Sequence, residues 1–104
     1  MIFYQVTYDG KHISSLSVSG HAGYKQKGRD IVCAAVSTAI LMTANAMEVL
    51  KSNHLVDLNV ASGDFKCMVK TYDSINQGLL INLEYALKEL EKEYPKYIKN
   101  QKEG

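Results

Sequence analysis

A histidine and a cysteine twelve residues apart hold the reactive chemistry of this chain: His21 in Gly20-His21-Ala22, and Cys33 in Gly28-Arg29-Asp30-Ile31-Val32-Cys33-Ala34-Ala35-Val36-Ser37. A thiolate attacks a carbonyl, and an imidazole within reach takes the thiol proton; those are the two groups a thiol protease requires. With Asp30 as N-cap, Ile31, Val32 and Cys33 take the first three positions of a helix. Such a cap contributes about 1 kcal/mol. Cys33 then sits in the first turn, where open amides and the helix dipole favour a negative charge. That placement lowers a cysteine pKa from about 8.5 into the range of roughly 3.5–7.5. Lys25, Lys27 and Arg29 add positive potential, and Asp30 works against it.

Each of these residues also has a plainer reading. A cysteine on an apolar helix is commonly a small buried hydrophobe, and a histidine at a strand end is commonly a surface residue. Asp30 either caps the helix or orients His21, and capping is favoured. Ser37 lies one helical turn after Cys33 on the same face, where it bonds the Cys33 carbonyl or lines a cleft. Cys67 alternates with Phe65 and Val69 and reads as core; His12 and His54 open strands and read as surface. No CxxC or HxxxH spacing gathers metal ligands, so neither a metal nor a cofactor is expected.

The elements that position these groups follow from periodicity. Ile2, Tyr4, Val6 and Tyr8 alternate with Phe3, Gln5 and Thr7 as a strand. Asp9-Gly10 suits a two-residue hairpin turn. The return strand spans about 12–19; Ile13 is out of phase with Leu16 and Val18, which predicts a bulge near Ser14-Ser15. Residues 20–29 have no period, hold three glycines, and four of the ten are Lys, Arg or His. From Ile31 to about Ser52 the pattern is helical, with Val32, Val36, Ala39, Thr43, Met47 and Leu50 as one stripe and more apolar surface on other faces. Strands follow over 55–61 (Val56, Leu58 and Val60 inward) and 65–72 (Phe65, Cys67 and Val69 inward), joined by Ser62-Gly63-Asp64. A second helix is capped by Asp73 or Ser74, with Ser74 and Gln77 at capping-box spacing. Its stripe is Ile75, Leu79, Leu83, Ala86, Leu90 and Tyr94, and Pro95 stops it. The expected fold is α+β: a single-domain two-layer sandwich in ββαββα order, with a mostly antiparallel four-stranded sheet, two helices and a polar tail over 96–104 that either frays or docks through Tyr97 and Ile98.

Bulk properties narrow the classes. At 104 residues, 46% apolar and 22% charged, one core can form without a metal or disulfide. Twelve Lys/Arg against eleven Asp/Glu gives a net charge of +1, which disfavours direct binding of nucleic acid by counterion release. The start of the chain is strand-like rather than signal-like. The most apolar window, 31–42, reads as too short for the roughly 20 residues that span a bilayer. A cytoplasmic setting without membrane contact is expected, in which Cys33 and Cys67 stay unpaired.

At Gly20-His21-Ala22, Gly28, Asp30-Ile31, Cys33-Ala34-Ala35 and Ser37 the sequence resembles the bacterial ribosomal-processing cysteine proteases called Prp. That family is marked by Gly-His-Ala, a short loop, and Gly-x-Asp-Ile-x-Cys-Ala-Ala-x-Ser. The close at Tyr94-Pro95-Lys96-Tyr97 is also similar. The resemblance implies a Cys33 nucleophile, a His21 general base, and Asp30 and Ser37 as supporting residues. Residues 22–29 (Ala22, Gly23, Tyr24 and Gly28 among them) become a cover over substrate that starts from Gly20. It implies a homodimer and, as substrate, the N-terminal extension of large-subunit ribosomal protein twenty-seven, cut after Phe-Phe and before Ala. The amides of Val32 to Ala34 are then the expected donors to the oxyanion. Two other classes compete: a thiol redox sensor, oxidised at Cys33 without turnover, and a non-enzymatic ribosome-associated module whose RNA contacts survive loss of Cys33.

Overall fold

Alternating apolar and polar residues become paired strands from the second residue onward. The structure is a computed structural model describing residues 1–20, 27–61 and 63–101, with 27–30 as backbone alone. β1 (Ile2–Asp9) and β2 (His12–Ser19) form an antiparallel hairpin. Its tip is Gly10-Lys11, one residue later than expected, and Gly10 supplies the positive φ of 61°. The expected bulge is present: Thr7 pairs with Ser15 and Tyr8 with Ile13, leaving Ser14 over. The Ser14 hydroxyl donates to the Thr7 carbonyl at 3.1 Å. This extra residue returns Ile13 to the buried side with Leu16 and Val18.

After α1 (Lys27–Val49) and a 3₁₀ turn (Asn53–Leu55) come β3 (Val56–Ala61), β4 (Asp64–Val69), α2 (Ser74–Glu93) and β5 (Ile98–Asn100). The sheet order is β3-β4-β2-β1-β5, antiparallel throughout except that β5 runs parallel to β1. The α+β class therefore stands, but among the described residues the sheet has five strands and is mixed. Of the two readings of the tail, docking holds over 98–101 and fraying does not, and it docks as a strand. Ile98 is buried and pairs with Ile2, and the Gln101 amide donates to the Tyr4 carbonyl at 2.6 Å. Three residues are too few to show a period of two, and the open edge of β1 supplies what the segment's own sequence lacks.

One face of the sheet carries Ile2, Tyr4, Ile13, Leu16, Val18, Val56, Phe65 and Cys67 into a core shared with Val32, Val36 and Met47 of α1 and Leu80, Leu83 and Leu87 of α2. Such burial contributes about 1.5–3 kcal/mol per large side chain before entropy is charged against it. The other face shows the alternate residues, among them Ser15, Ser17, Asp64 and Lys66, so the molecule has two layers.

The first helix starts earlier than expected, and the second starts at one of its two expected caps but with a different box partner. α1 begins at Lys27, so Asp30 is its fourth residue rather than its cap. Gly28 costs the helix only about 1 kcal/mol, and an acidic residue in the first turn complements the dipole. At α2 the cap is Asp73, and its box partner is Asn76 rather than the Ser74–Gln77 pair. Gln77 instead brackets the backbone of Ile13, accepting from its amide at 2.7 Å and donating to its carbonyl at 2.9 Å. The buried face of α2 runs through Asn76, Leu80, Leu83, Glu84 and Leu87, rotated from the expected stripe. Apolar spacing could not reveal this, because two polar members of that face are buried with partners: Asn76 on the Thr71 carbonyl and Glu84 under the Tyr8 hydroxyl.

α1 closes in a Schellman turn, with Lys51 at a φ of 61°, its amide on the Glu48 carbonyl and the Ser52 amide on that of Met47. Buried Ser52 then donates to the Asp73 carboxylate at 3.1 Å, joining the end of one helix to the cap of the other. The apolar part of α1 is longer than the 31–42 window: Ile31–Val49 spans 19 residues at mean hydropathy 1.5, long and apolar enough to cross a membrane by length and composition. Thr43 and Asn45 interrupt the run in sequence, yet Ala44, Ala46, Met47 and Val49 continue it. Only 22% of that stretch is buried within the chain. Ile31, Leu41, Met42 and Val49 lie exposed on its outer side.

Candidate active site

Chain direction decides where the reactive residues gather. β2 ends at Ser19, and β3, antiparallel to β4 as β4 is to β2, ends at the same end of the sheet. α1 starts there too, since it carries the chain back toward the start of β3. Cys33, near the beginning of α1, and Gly20, at the close of β2, thus belong to one end of the molecule.

Gly20 is fixed on three sides. Its φ is 120°, its amide donates to the Gly63 carbonyl at 3.1 Å, and a Cβ there would stand 2.3 Å from the Met1 carbonyl oxygen. Only glycine fits, which explains the residue before His21 by geometry. The involvement of Gly63 and Met1 was missed in the sequence. The Ser62-Gly63-Asp64 turn was visible there, but not the strand it meets.

Cys33 is the seventh residue of α1 and not the third, so it lies in the second turn. The dipole argument for a first-turn thiol does not apply to it. Val32 is fully buried, Cys33 is half-buried against the core, and Ser37, one turn on, is exposed. The thiol side of this turn therefore borders solvent while its neighbour anchors the helix. The amides of Val32 to Ala34 belong to the helical ladder, directed at carbonyls four residues back, and do not face an oxyanion. By the same rule the open amides of α1 are those of its first turn, at Lys27, Gly28 and Arg29. These three residues, expected in the loop, are helical. His21, Ala22, Gly23 and Tyr24 lie outside the described residues, and so does any meeting of His21 with Cys33. Gly28 and Asp30 are placed by backbone in the opening turns of α1.

The second cysteine is a different kind of thiol. Cys67 is fully buried, and burial, followed by the nearby Asp57 charge, pushes its pKa up to about 11. It is core, as its alternation predicts. His12 and His54 are exposed, as expected. His12 stacks on Tyr72 with ring centroids 4.5 Å apart, and Tyr72 donates to Asp9 at 3.1 Å. That cluster sits at the start of β2, roughly 25 Å along the strand from Gly20. Neither histidine can serve Cys33. Among the described residues, no group of three His, Cys, Asp or Glu side chains could hold a metal ion.

The profile of the family described as "Cysteine protease Prp" matches residues 1–99. No curated protein matches the chain in sequence. Among solved structures, an essential ribosomal processing protease Prp from S. aureus, in complex with a covalently linked product peptide, is 28% identical. It superposes with a TM-score of 0.81, covering 96% of this chain and 97% of that one. SMU.848 from Streptococcus mutans is 27% identical at a TM-score of 0.77, covering 96% and 91%. The S. aureus protease with a substrate peptide, matched at 24% identity, has the same fold at a TM-score of 0.81, covering 97% and 98%.

Proposed function

The chain belongs to the cysteine protease Prp family, and from that premise we propose that it is a cytoplasmic endopeptidase of ribosome maturation. In this reading Cys33 is the nucleophile, His21 the general base, and Asp30 and Ser37 support them. The substrate is the N-terminal extension of large-subunit ribosomal protein twenty-seven, cut after Phe-Phe and before Ala. The observation that carries the reading is the family match over residues 1–99, which contains the whole Gly20–Ser37 motif. Three further points support it. The similar S. aureus protease holds a covalently linked product peptide. Cys33 borders solvent on a helix anchored by buried Val32 and Val36. Gly20, the residue that precedes His21 in the sequence, is bonded to Gly63 at the end of the sheet where α1 begins.

In the chemistry proposed, His21 takes the Cys33 proton as sulfur attacks the scissile carbonyl, then returns it to the leaving amine. Water releases the acyl group. A positioned base of this kind contributes about 10²–10⁴ in rate. The deciding experiment is mass spectrometry of a peptide spanning Phe-Phe-Ala, incubated with wild type and with Cys33→Ala. Cleavage between Phe and Ala by the wild type alone is expected; an intact peptide beside folded enzyme would reject the reading.

The exposed apolar side of α1 supports a homodimer in the same reading. A dimer mass by light scattering, reduced to a monomer by Met42→Glu, is expected. A wild-type monomer at high concentration would remove the dimer from it.

A further inference from the structure

We propose that the outer edge of β3 is a docking strand for the peptide substrate, which adds to the sheet as a sixth strand. The inference rests on the protease reading above and names the surface that reads the peptide's backbone.

The phase of the ladder decides which groups face outward. In an antiparallel pair, alternate residues exchange both backbone hydrogen bonds with the partner, and those between direct theirs away. The Gly20 amide on the Gly63 carbonyl sets this phase: Gly63, Phe65 and Cys67 bond toward β2. Asp64, Lys66 and Met68 then bond toward β3, at Ala61, Asn59 and Asp57. Leu58 and Val60 are left with their amides and carbonyls aimed at the outer edge. Val56 is not equivalent, because its amide already donates to the Asn53 carbonyl. Among the described residues β3 is the last strand of the sheet on this side.

Side chains alternate with the same phase. Leu58 and Val60 are on the core side of the sheet with Val56, yet Leu58 is half-buried and Val60 is 47% exposed. A strand paired at those positions presents its own side chains on that core side, beside Leu58 and Val60. It would extend the apolar layer past the edge. The matching ligand is an extended chain with apolar or aromatic residues at alternate positions.

Continuity with the site selects the occupant. β3 ends at Ala61, paired with Asp64, directly beside the Gly20–Gly63 junction and at the end where α1 begins. The edge carries no proline and no lysine, the usual guards against adding a strand. A second copy joined through six edge residues alone would bury far less than the roughly 1,200 Å² of a stable interface. A peptide held at the same time by Cys33 needs no such area.

The test uses the full chain with Cys33→Ala and a synthetic peptide carrying Phe-Phe-Ala at its centre. At saturation, amide hydrogen exchange at Leu58 and Val60 slows by about tenfold or more, the effect of gaining one net hydrogen bond, while Asn59 is unchanged. In the active enzyme Val60→Pro deletes an outward amide and keeps the ladder bonds of Asn59 and Ala61. It raises KM by about tenfold, with the alkylation rate of Cys33 unaltered. If that variant does not fold, the exchange measurement decides alone. Peptide-induced shifts elsewhere with unchanged exchange at Leu58 and Val60 overturn the docking strand and leave the protease reading standing. Protection at the edge without cleavage by the wild type keeps the docking strand and removes the protease reading. Absence of binding removes both, and protection that grows with protein concentration alone assigns the edge to a second copy and overturns the proposal.

Discussion

An alanine at position 20 would place its methyl 2.3 Å from the Met1 carbonyl oxygen, at a φ of 120° that side chains rarely adopt. Either the start of the chain moves or the Gly20–Gly63 hydrogen bond opens. Gly20→Ala is expected to cost on the order of 1–3 kcal/mol for the backbone alone, seen as a lower thermal midpoint, and to slow peptide cleavage further than the stability loss explains. Wild-type turnover in a folded variant would show that the backbone at Gly20 does not position the site. The need for glycine was legible in Gly20-His21-Ala22, but its cause was not. Met1 precedes β1 and Gly63 lies in the turn between β3 and β4, and nothing local to residue 20 names them. Cys33 and Cys67 show the reverse. Alternation alone assigned Cys67 to the core, and its complete burial agrees, whereas Cys33 was set apart by its motif.

At the scale of the element, two helices carry residues their geometry does not favour. Gly78 lies exposed near the start of α2 with open space where a Cβ would stand, and Lys51 ends α1 in the left-handed region. Gly78→Ala and Lys51→Gly are each expected to stabilise by about 0.5–1 kcal/mol, read as separate increases in the urea midpoint. A decrease from either would mean that its neighbours need the native residue. Strands, bulge and helices were largely readable because their apolar residues repeat. What escaped lacked a repeat or broke one. β5 is three residues long, the face of α2 is turned by Asn76 and Glu84, and Gly28 looked like loop although the helix runs through it.

Across the whole molecule, buried Glu84 and half-buried Glu91 tie the layers together and help set an alkaline limit. Tyr8 on the sheet donates to Glu84 of α2, and Tyr4 donates to Glu91 at 2.7 Å. Burial, then the Glu84 hydrogen bond and charge, push the Tyr8 pKa from 10.0 up to about 12, and the Tyr4 hydroxyl moves in the same direction. Cys67 goes from 9.0 to about 11. The folded chain thus keeps protons that the unfolded chain loses first, so the contribution of these groups to stability is fully present below pH 9 and is lost as pH rises from 9 to about 12. Urea midpoints measured across that window should decline, with Tyr8→Phe flattening the upper part; a flat profile in the wild type would contradict the assignment. The strand order β3-β4-β2-β1-β5 has another consequence, for how the chain can be divided. A cut between Leu50 and Asn53 gives two fragments of contiguous sequence: the first keeps the adjacent pair β1 and β2, but the second holds β3 and β4 on one side of that pair and β5 on the other. β1 and β2 must be received between β4 and β5, and each fragment has only one of the two core-forming helices. Neither piece can complete a layer without the other, which is the property that fragment complementation exploits: two silent halves whose recovered activity reports that something has brought them together.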